Sequence, residues 1–193
     1  MADYTDNTLR SSIKALEQVV QPAVDPEDPL AGEQLRLVLG FLKFLRLRLR
    51  HWHARHTFEL NHYLALARGI AADARHLERN VYAHLQRVSE RAQAVQRDPF
   101  AAVNDIESAT AALATAVSAV ARVVGSAEIP LRERIERRLL EESRRWVDMQ
   151  RAWFLPQGFE LHPESIPDLE QLLSSDDPRR HGGGSQPCAG RQD

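Results

Sequence analysis

The feature that most constrains this chain of 193 residues is an apolar stretch that runs from Asp28 to His56. One row of apolar side chains recurs every three or four residues, the spacing of a single helical face: Leu35, Val38, Leu42, Leu45, Leu49 and Trp52. Leu37, Phe41 and Phe44 form a second row beside the first. The two rows cover more than half of the helix circumference, which is more than a surface helix normally buries. The pattern therefore predicts a central helix that is packed from two sides.

Composition excludes several classes of protein. The net charge is −2, so the charge of the whole molecule does not indicate a nucleic-acid partner. The single cysteine, Cys188, cannot form an internal disulfide and suits a reducing cytoplasm. The chain starts without the pattern of a signal peptide, and no run of about 18 apolar residues is free of charge. We therefore expect one cytoplasmic domain with no membrane span.

The rest of the chain is predicted to be helical almost throughout. Five helices are expected over about 8–20, 29–50, 58–97, 101–124 and 130–154. Asp28 and Pro29 are a favourable N-cap and N1 pair for the second helix, whose end is expected between 51 and 57. Because the third helix would span about 60 Å, more than its neighbours, a kink at Gly69–Asp73 or an overhanging end is expected. A break near Arg68–Asp73, where Gly69 lowers the helix propensity, is the alternative to the earlier break.

The character of the chain changes after Pro156. Residues 166–173 can form one short helix that docks through leucines. Residues 175–193 are polar and rich in glycine and proline, a composition typical of disorder. The predicted architecture is therefore all-α, with a mostly antiparallel bundle of about five helices in residues 1–174 and a disordered tail in residues 175–193.

The first third of the chain carries a resemblance to known proteins. The pattern LRSSIKALEQVVQPAV, followed by DPLAGEQLRLVLGFLKFL, resembles small uncharacterised bacterial all-α proteins. Such proteins are encoded beside aminoglycoside-phosphotransferase-like kinases and acyl-CoA dehydrogenases. The resemblance consists of apolar spacing and one Pro-Ala-Val, and it includes no catalytic motif, so it assigns no functional residue. It implies an accessory role in the catabolism of acyl groups or small molecules.

A cluster of potential metal ligands lies between His51 and His62. Imidazole and carboxylate are common ligands of zinc and iron, and Glu59 with His62 matches the Glu-x-x-His element of di-iron bundles. No second element of this kind occurs in the chain. On a continuous helix, successive members are rotated by about 60°, so at most two or three can converge. The candidate zinc or iron ligands are His53, His56, Glu59 and His62; the alternative is a polar corner between helices.

Two further groups of residues are candidates for binding. A cationic ridge on the second helix is suited to an anionic partner, either a phosphate-bearing acyl carrier or an acidic membrane surface. It consists of Arg36, Lys43, Arg46 and Arg50. The alternative for this ridge is a solvated helix edge. A second group can line a pocket for an acyl or other apolar compound, or can simply fill the core, and consists of Trp146, Met149 and Trp153.

Nucleophilic catalysis has no support in the sequence. Cys188 lies in the predicted tail, no G-x-S-x-G elbow occurs, and Gly182–Gly184 does not open a helix after a strand. We therefore expect a non-catalytic helical accessory or interaction protein that self-associates or docks on an enzyme partner. The reasons for this expectation are the surplus of apolar surface on the second helix and the very regular apolar seam of the helix over 101–124, which together exceed what one small bundle must bury. Metal binding and the binding of an apolar small molecule are the two alternatives.

Overall fold

The computed structural model describes residues 4–174, and all of its regular elements within that range are helical. Seven α-helices follow one another: α1 (Tyr4–Ala15), α2 (Pro29–Leu49), α3 (Trp52–Ala74), α4 (Arg79–Arg97), α5 (Val103–Val124), α6 (Ile129–Phe154) and α7 (Leu169–Ser174). A π-helical turn, Leu16–Val20, extends α1, and a 3-10 turn, Leu155–Gln157, follows α6. The predicted all-α class is confirmed.

The predicted number of five helices is too low. The helix expected over 58–97 is divided into α3 and α4, and the segment expected over 166–173 contributes the separate helix α7. A turn separates α3 from α4. In this turn the backbone N–H groups of His76 and Leu77 donate hydrogen bonds of 3.0 Å to the carbonyls of Asp73 and Ala74. Neither proline nor glycine marks this break, and Gly69, where a kink was expected, lies within α3.

The other helix boundaries lie near their predicted positions. The carboxylate of Asp28 accepts the N–H of Ala31 at 3.0 Å, so Asp28 caps α2 as expected. The break between α2 and α3 falls at Arg50 and His51, the earlier of the two positions considered. The predicted disordered tail over 175–193 lies outside the described residues.

The central element of the bundle is α3, which packs against α4, α5, α6 and α7. Phe58, Leu60 and Leu64 are all buried, although residues two apart point to opposite sides of a helix. Buried side chains therefore lie on more than one side of α3, and neighbouring helices cover most of its circumference. One strip of α3, with Arg68, Gly69 and Ala72, stays exposed. The end of α3 meets the start of α6 through the ion pair of Asp73 with Arg134. The start of α3 meets the end of α6 where Phe58 packs in one cluster with Trp153, so these two helices are antiparallel.

The core consists of two clusters. The larger one joins α3, α4, α5 and the start of α6, and its fully buried side chains include Leu64, Ile70, Leu85, Leu113, Val120 and Ile135. The smaller one lies where α3, the end of α6 and α7 meet, and comprises Phe58, Met149, Ala152, Trp153, Leu169 and Leu173. Both clusters contain residues of α3 and α6, so these two helices connect the halves of the bundle.

The prediction that α2 is the central helix is wrong. Leu39 is the single buried apolar residue of α2, which packs against α1, against the π-helical turn and, near its C-terminus, against the turn Leu155–Gln157. The α1–α2 pair therefore forms a helical hairpin at the side of the bundle. The number of large apolar side chains does not decide which helix is central: α2 has more of them than α3, but most of those of α3 are buried and most of those of α2 are not.

Within the described residues, α5 alone is long and apolar enough to cross a membrane, by length and composition only. It packs against α3, α4 and α6 and contributes Ile106, Leu113 and Val120 to the larger core cluster. The core helix of a soluble bundle has the same length and composition, so this finding is weak evidence for a membrane span.

Candidate functional site

The four cations singled out from the sequence all have acidic partners. They pair as follows: Arg36 with Glu33 at 2.7 Å, Lys43 with Glu17 at 2.6 Å, Arg46 with Asp6 at 2.8 Å and Arg50 with Glu170 at 3.0 Å. The hydrogen bond to Glu33, and then its charge, raise the pKa of Arg36. Because these charges are balanced within the chain, the geometry does not favour an anionic partner on this ridge, and that binding role stays a prediction.

The candidate metal ligands do not converge on one point. His56 Nε2 lies 3.3 Å from Glu107 Oε1, while His56 Nδ1 lies 3.8 Å from Glu59 Oε2. Glu59 also accepts a hydrogen bond of 2.9 Å from Arg55 Nε. In residues 4–174, no group of three or more His, Cys, Asp or Glu side chains is placed to hold a metal ion. Zinc or iron binding stays a prediction without a geometric basis in this part of the chain.

His62 lies apart from the other candidate ligands, buried between α3 and α6. Its ring stacks on the indole of Trp146, with ring centroids 5.0 Å apart and an interplanar angle of 22°. Burial, and then the nearby charge of Arg145, lower the pKa of His62 to about 4. His62 is therefore neutral near pH 7 and buried, rather than part of a metal site or an exposed polar corner.

The three candidate pocket residues are brought together, but as part of the core. Met149 and Trp153 are buried in the smaller cluster, and Trp146 packs against that cluster. Edge-to-face contacts with Phe44 and Trp52 also surround Trp153, with ring centroids 6.5 and 6.3 Å apart. A pocket for an apolar compound at these residues stays a prediction that this packing does not favour.

An open groove of about 540 Å³ lies elsewhere, between the end of α4 and the start of α5. Its lining is mostly alanine and valine, with Arg91, Asp98 and Asp105 as the charged members. Small side chains on both helices leave this space, because alanine fills less volume than the leucines at other helix contacts. The groove is wide open to solvent, and none of the candidate site residues lines it.

Arg48 is the important residue that the sequence analysis missed. Its guanidinium is buried and donates from Nε to the carbonyl of Trp153 at 2.7 Å and from Nη2 to the carbonyl of Ala152 at 3.0 Å. These carbonyls belong to the last turn of α6, where a positive charge is favourable. Burial, and then the charge of Arg50, lower the pKa of Arg48. Arg48 therefore fixes α2 to the end of α6.

A signal for Arg48 was present in the sequence. It lies four residues after Phe44 and seven after Phe41, and therefore on the apolar face of α2 rather than on the cationic ridge. Phe44 itself stacks on Phe154, with ring centroids 5.7 Å apart and an interplanar angle of 9°. An arginine within an apolar row of a helix indicates a buried partner for its donors.

The same face of α2 is uncovered toward the N-terminus of the helix. We call Leu30, Leu37, Val38 and Phe41 the α2 apolar face; they are 67%, 51%, 49% and 59% exposed. The four side chains lie within an arc of about 100° in helical projection, together with the uncharged Gln34. Farther along this face, Phe44 and Arg48 are covered by the end of α6. The exposed surface thus directly continues a buried contact.

The α1–α2 hairpin has little core of its own. Ile13 of α1 and Leu39 of α2 are its only buried apolar side chains. Ion pairs of Lys43 and Arg46 with acidic residues of α1 and its π-helical turn add contacts between the two helices at their exposed edges. Surface ion pairs contribute little to stability, whereas the contacts of Phe44 and Arg48 attach the hairpin to the end of α6.

Comparison with known proteins adds no further assignment. No protein-family model, no curated protein and no solved structure matches this chain. The resemblance of the first third to small bacterial all-α proteins therefore stays a prediction.

Proposed function

We propose that this chain is a non-catalytic helical interaction protein and that the α2 apolar face is its docking surface. The observation that carries the proposal is the exposure of Leu30, Leu37, Val38 and Phe41 on one charge-free face of a helix. The largest apolar patch on a typical soluble monomer covers about 300–600 Å² and is often a functional site, and the α2 apolar face is of that size.

The free energy of burying apolar surface favours a partner on the α2 apolar face. The α2 apolar face exposes on the order of 400 Å² of apolar surface, and burial is worth about 25 cal/mol per Å². Covering the face therefore contributes on the order of 10 kcal/mol before the costs of association are subtracted. The hairpin would gain as well, because its own buried contacts are few. Docking and the stability of the hairpin are thus expected to be coupled.

An enzyme partner, metal binding and binding of an apolar small molecule are the other roles considered for this chain. The first uses the same face and is compatible with the proposal. Metal binding has no converging ligands in residues 4–174. For an apolar compound, the residues expected to form the pocket are packed in the core. The α2 apolar face is therefore the feature of the described chain that best supports a function.

Site-specific photo-cross-linking tests the proposal. A benzophenone amino acid replaces Leu37 in the full chain, and cells that naturally produce the protein are irradiated. We expect a discrete cross-linked product, because a covered face places partner atoms within reach of the probe. The matched control carries the probe at Leu140, an isolated leucine on α6 that is 71% exposed, and should give no discrete product. Equal labelling at the two positions, or none at Leu37, would overturn the proposal.

A further inference from the structure

We infer that the occupant of the α2 apolar face is a second copy of this chain, with the two α2 helices antiparallel. This inference rests on the proposed function and names the partner for the same surface. The symmetry is two-fold, so each copy contributes the same four residues, Leu30, Leu37, Val38 and Phe41. In this arrangement α2 has neighbours on two sides: α1 of its own chain and α2 of the second copy.

The charges around the face favour a copy of itself. The face contains no ionised side chain, and two charged residues between Leu30 and Phe41, Glu33 and Arg36, form a hydrogen-bonded pair with each other. A second copy therefore meets no like charge, whereas a strongly charged partner would find no complementary residue. A lipid surface is a weaker fit, because membrane-adsorbing helices present free Lys and Arg, and here Lys43 and Arg46 are paired with acids.

The exposed area matches what a dimer needs. A standard interface buries about 800 Å² on each partner, of which roughly 60% is non-polar, or on the order of 500 Å². The α2 apolar face together with Phe154, which is 43% exposed beside Phe44, provides roughly 500 Å². One copy thus carries enough apolar surface for a dimer on α2 and the adjoining end of α6.

The shape of the chain selects the antiparallel orientation. The end of α6 packs on Phe44 and Arg48, which lie on the same face of α2 as Leu37 and Phe41. In a parallel pair, the two α6 ends would meet at the same level and collide. In an antiparallel pair, they lie at opposite ends, and the two-fold axis passes near residues 35 and 36. The segment from Leu30 to Phe41 spans about 17 Å at 1.5 Å per residue, so Leu30 of one copy packs near Phe41 of the other.

Sedimentation of the full chain tests the dimer. From about 1 to 100 µM, we expect the mass to rise from 21.9 kDa toward twice that value. Phe41→Asp places a carboxylate in the paired face and should leave a monomer throughout this range. Because Phe41 is exposed in the isolated chain, the variant should keep the helical content and unfolding midpoint of a dilute sample. Leu140→Asp is the matched control on α6 and should dimerise like the parent.

Cross-linking of single cysteines tests the orientation, in a Cys188→Ser background. Gln34 is exposed and lies close to the expected axis, so Gln34→Cys should be joined to its own copy by a short bis-maleimide. The two Leu30 positions are about 17 Å apart along an antiparallel pair, so Leu30→Cys should not be joined. Efficient cross-linking of Leu30→Cys would overturn the antiparallel arrangement.

The outcomes separate this inference from the proposed function. A chain that stays monomeric up to ~100 µM, while a probe at Leu37 joins it to a different protein, overturns the dimer and leaves the docking surface standing. Loss of dimer in both Phe41→Asp and Leu140→Asp would overturn the assignment of the interface to α2. A monomer without any product at Leu37 would overturn both the inference and the proposed function.

Discussion

Arg48 and His62 are buried polar side chains, and the cost of removing each from water is offset in a different way. Arg48 keeps its charge and donates to two carbonyls at the end of α6, which are otherwise without intrahelical partners. His62 gives up its charge and packs as a flat ring on Trp146. The first residue joins the hairpin to the bundle, and the second belongs to the packing between α3 and α6.

Replacement of Arg48 by methionine should destabilise the protein. The variant keeps most of the side-chain volume but removes the donors to Trp153 and Ala152, so we expect a loss of about 2–3 kcal/mol in the free energy of unfolding. Urea denaturation followed by circular dichroism measures this change. Arg138→Ala, at an exposed ion pair on α6, should change stability by less than about 0.5 kcal/mol. Equal effects of the two substitutions would contradict the capping role of Arg48.

The burial of His62 predicts a loss of stability in mild acid. The folded state holds the pKa of His62 at about 4, whereas its ordinary value is 6.5. Between these pH values the unfolded chain binds a proton that the folded chain does not, so stability falls as pH falls from 6.5 to 4 and this contribution levels off below 4. The full difference is on the order of 3 kcal/mol.

Urea denaturation at several pH values between 4 and 7 checks this expectation. His62→Leu should flatten the dependence in that window, because the variant has no proton to bind at this position. His76→Gln, at an exposed histidine, should keep the slope of the parent. A His62→Leu variant that retains the full slope would assign the acid sensitivity to other groups.

At the scale of elements, the central helix is α3 and the peripheral helix is α2, the reverse of what their compositions indicate. The large apolar residues of α2 were expected at the centre, yet α3 is the helix that neighbours enclose. Small residues such as Ala67 and Ala74 allow other helices to approach α3 closely. The hairpin of α1 and α2 instead has one face in contact and one face exposed.

The difference between α3 and α2 predicts unequal effects of the same substitution. Leu64→Ala on α3 leaves a cavity in the larger core cluster and should lower the free energy of unfolding by about 3 kcal/mol. Leu37→Ala on α2 removes a side chain that is half exposed and should cost less than about 1 kcal/mol in a dilute sample. Urea denaturation at protein concentrations below about 1 µM, where a weak dimer dissociates, measures the two losses of stability. Similar losses of stability for the two substitutions would contradict the central position of α3 and the peripheral position of α2.

At the scale of the whole molecule, the bundle of α3 to α6 is expected to be the stable unit and the hairpin its adaptable part. Both core clusters are built mainly from α3 to α7. The hairpin is attached through Phe44, Arg48 and the ion pair of Arg50 with Glu170. Sub-global opening is expected where buried contacts are few, which here is the hairpin.

This division predicts that amide exchange depends on protein concentration in only one region. Residues 30–41 of α2 should exchange quickly at low micromolar concentration and more slowly at high concentration, because association stabilises the associated form by mass action. Residues 60–74 of α3 should be protected at both concentrations, since they are enclosed within one chain. Hydrogen exchange with mass spectrometry measures both regions in one sample. Amide exchange of residues 30–41 that does not depend on protein concentration would contradict the coupling between association and the stability of the hairpin.

The sequence by itself determined the all-α class, the start of α2 at Pro29 with its Asp28 cap, and the position of the break before α3, because periodicity and capping act over one or two helical turns. It also indicated a surplus of apolar surface on α2. Only the tertiary structure decided which helix is central, that His62 stacks on Trp146 away from His56, and that Arg48 reaches the end of α6. These depend on contacts between residues as many as 105 positions apart, which local spacing does not specify.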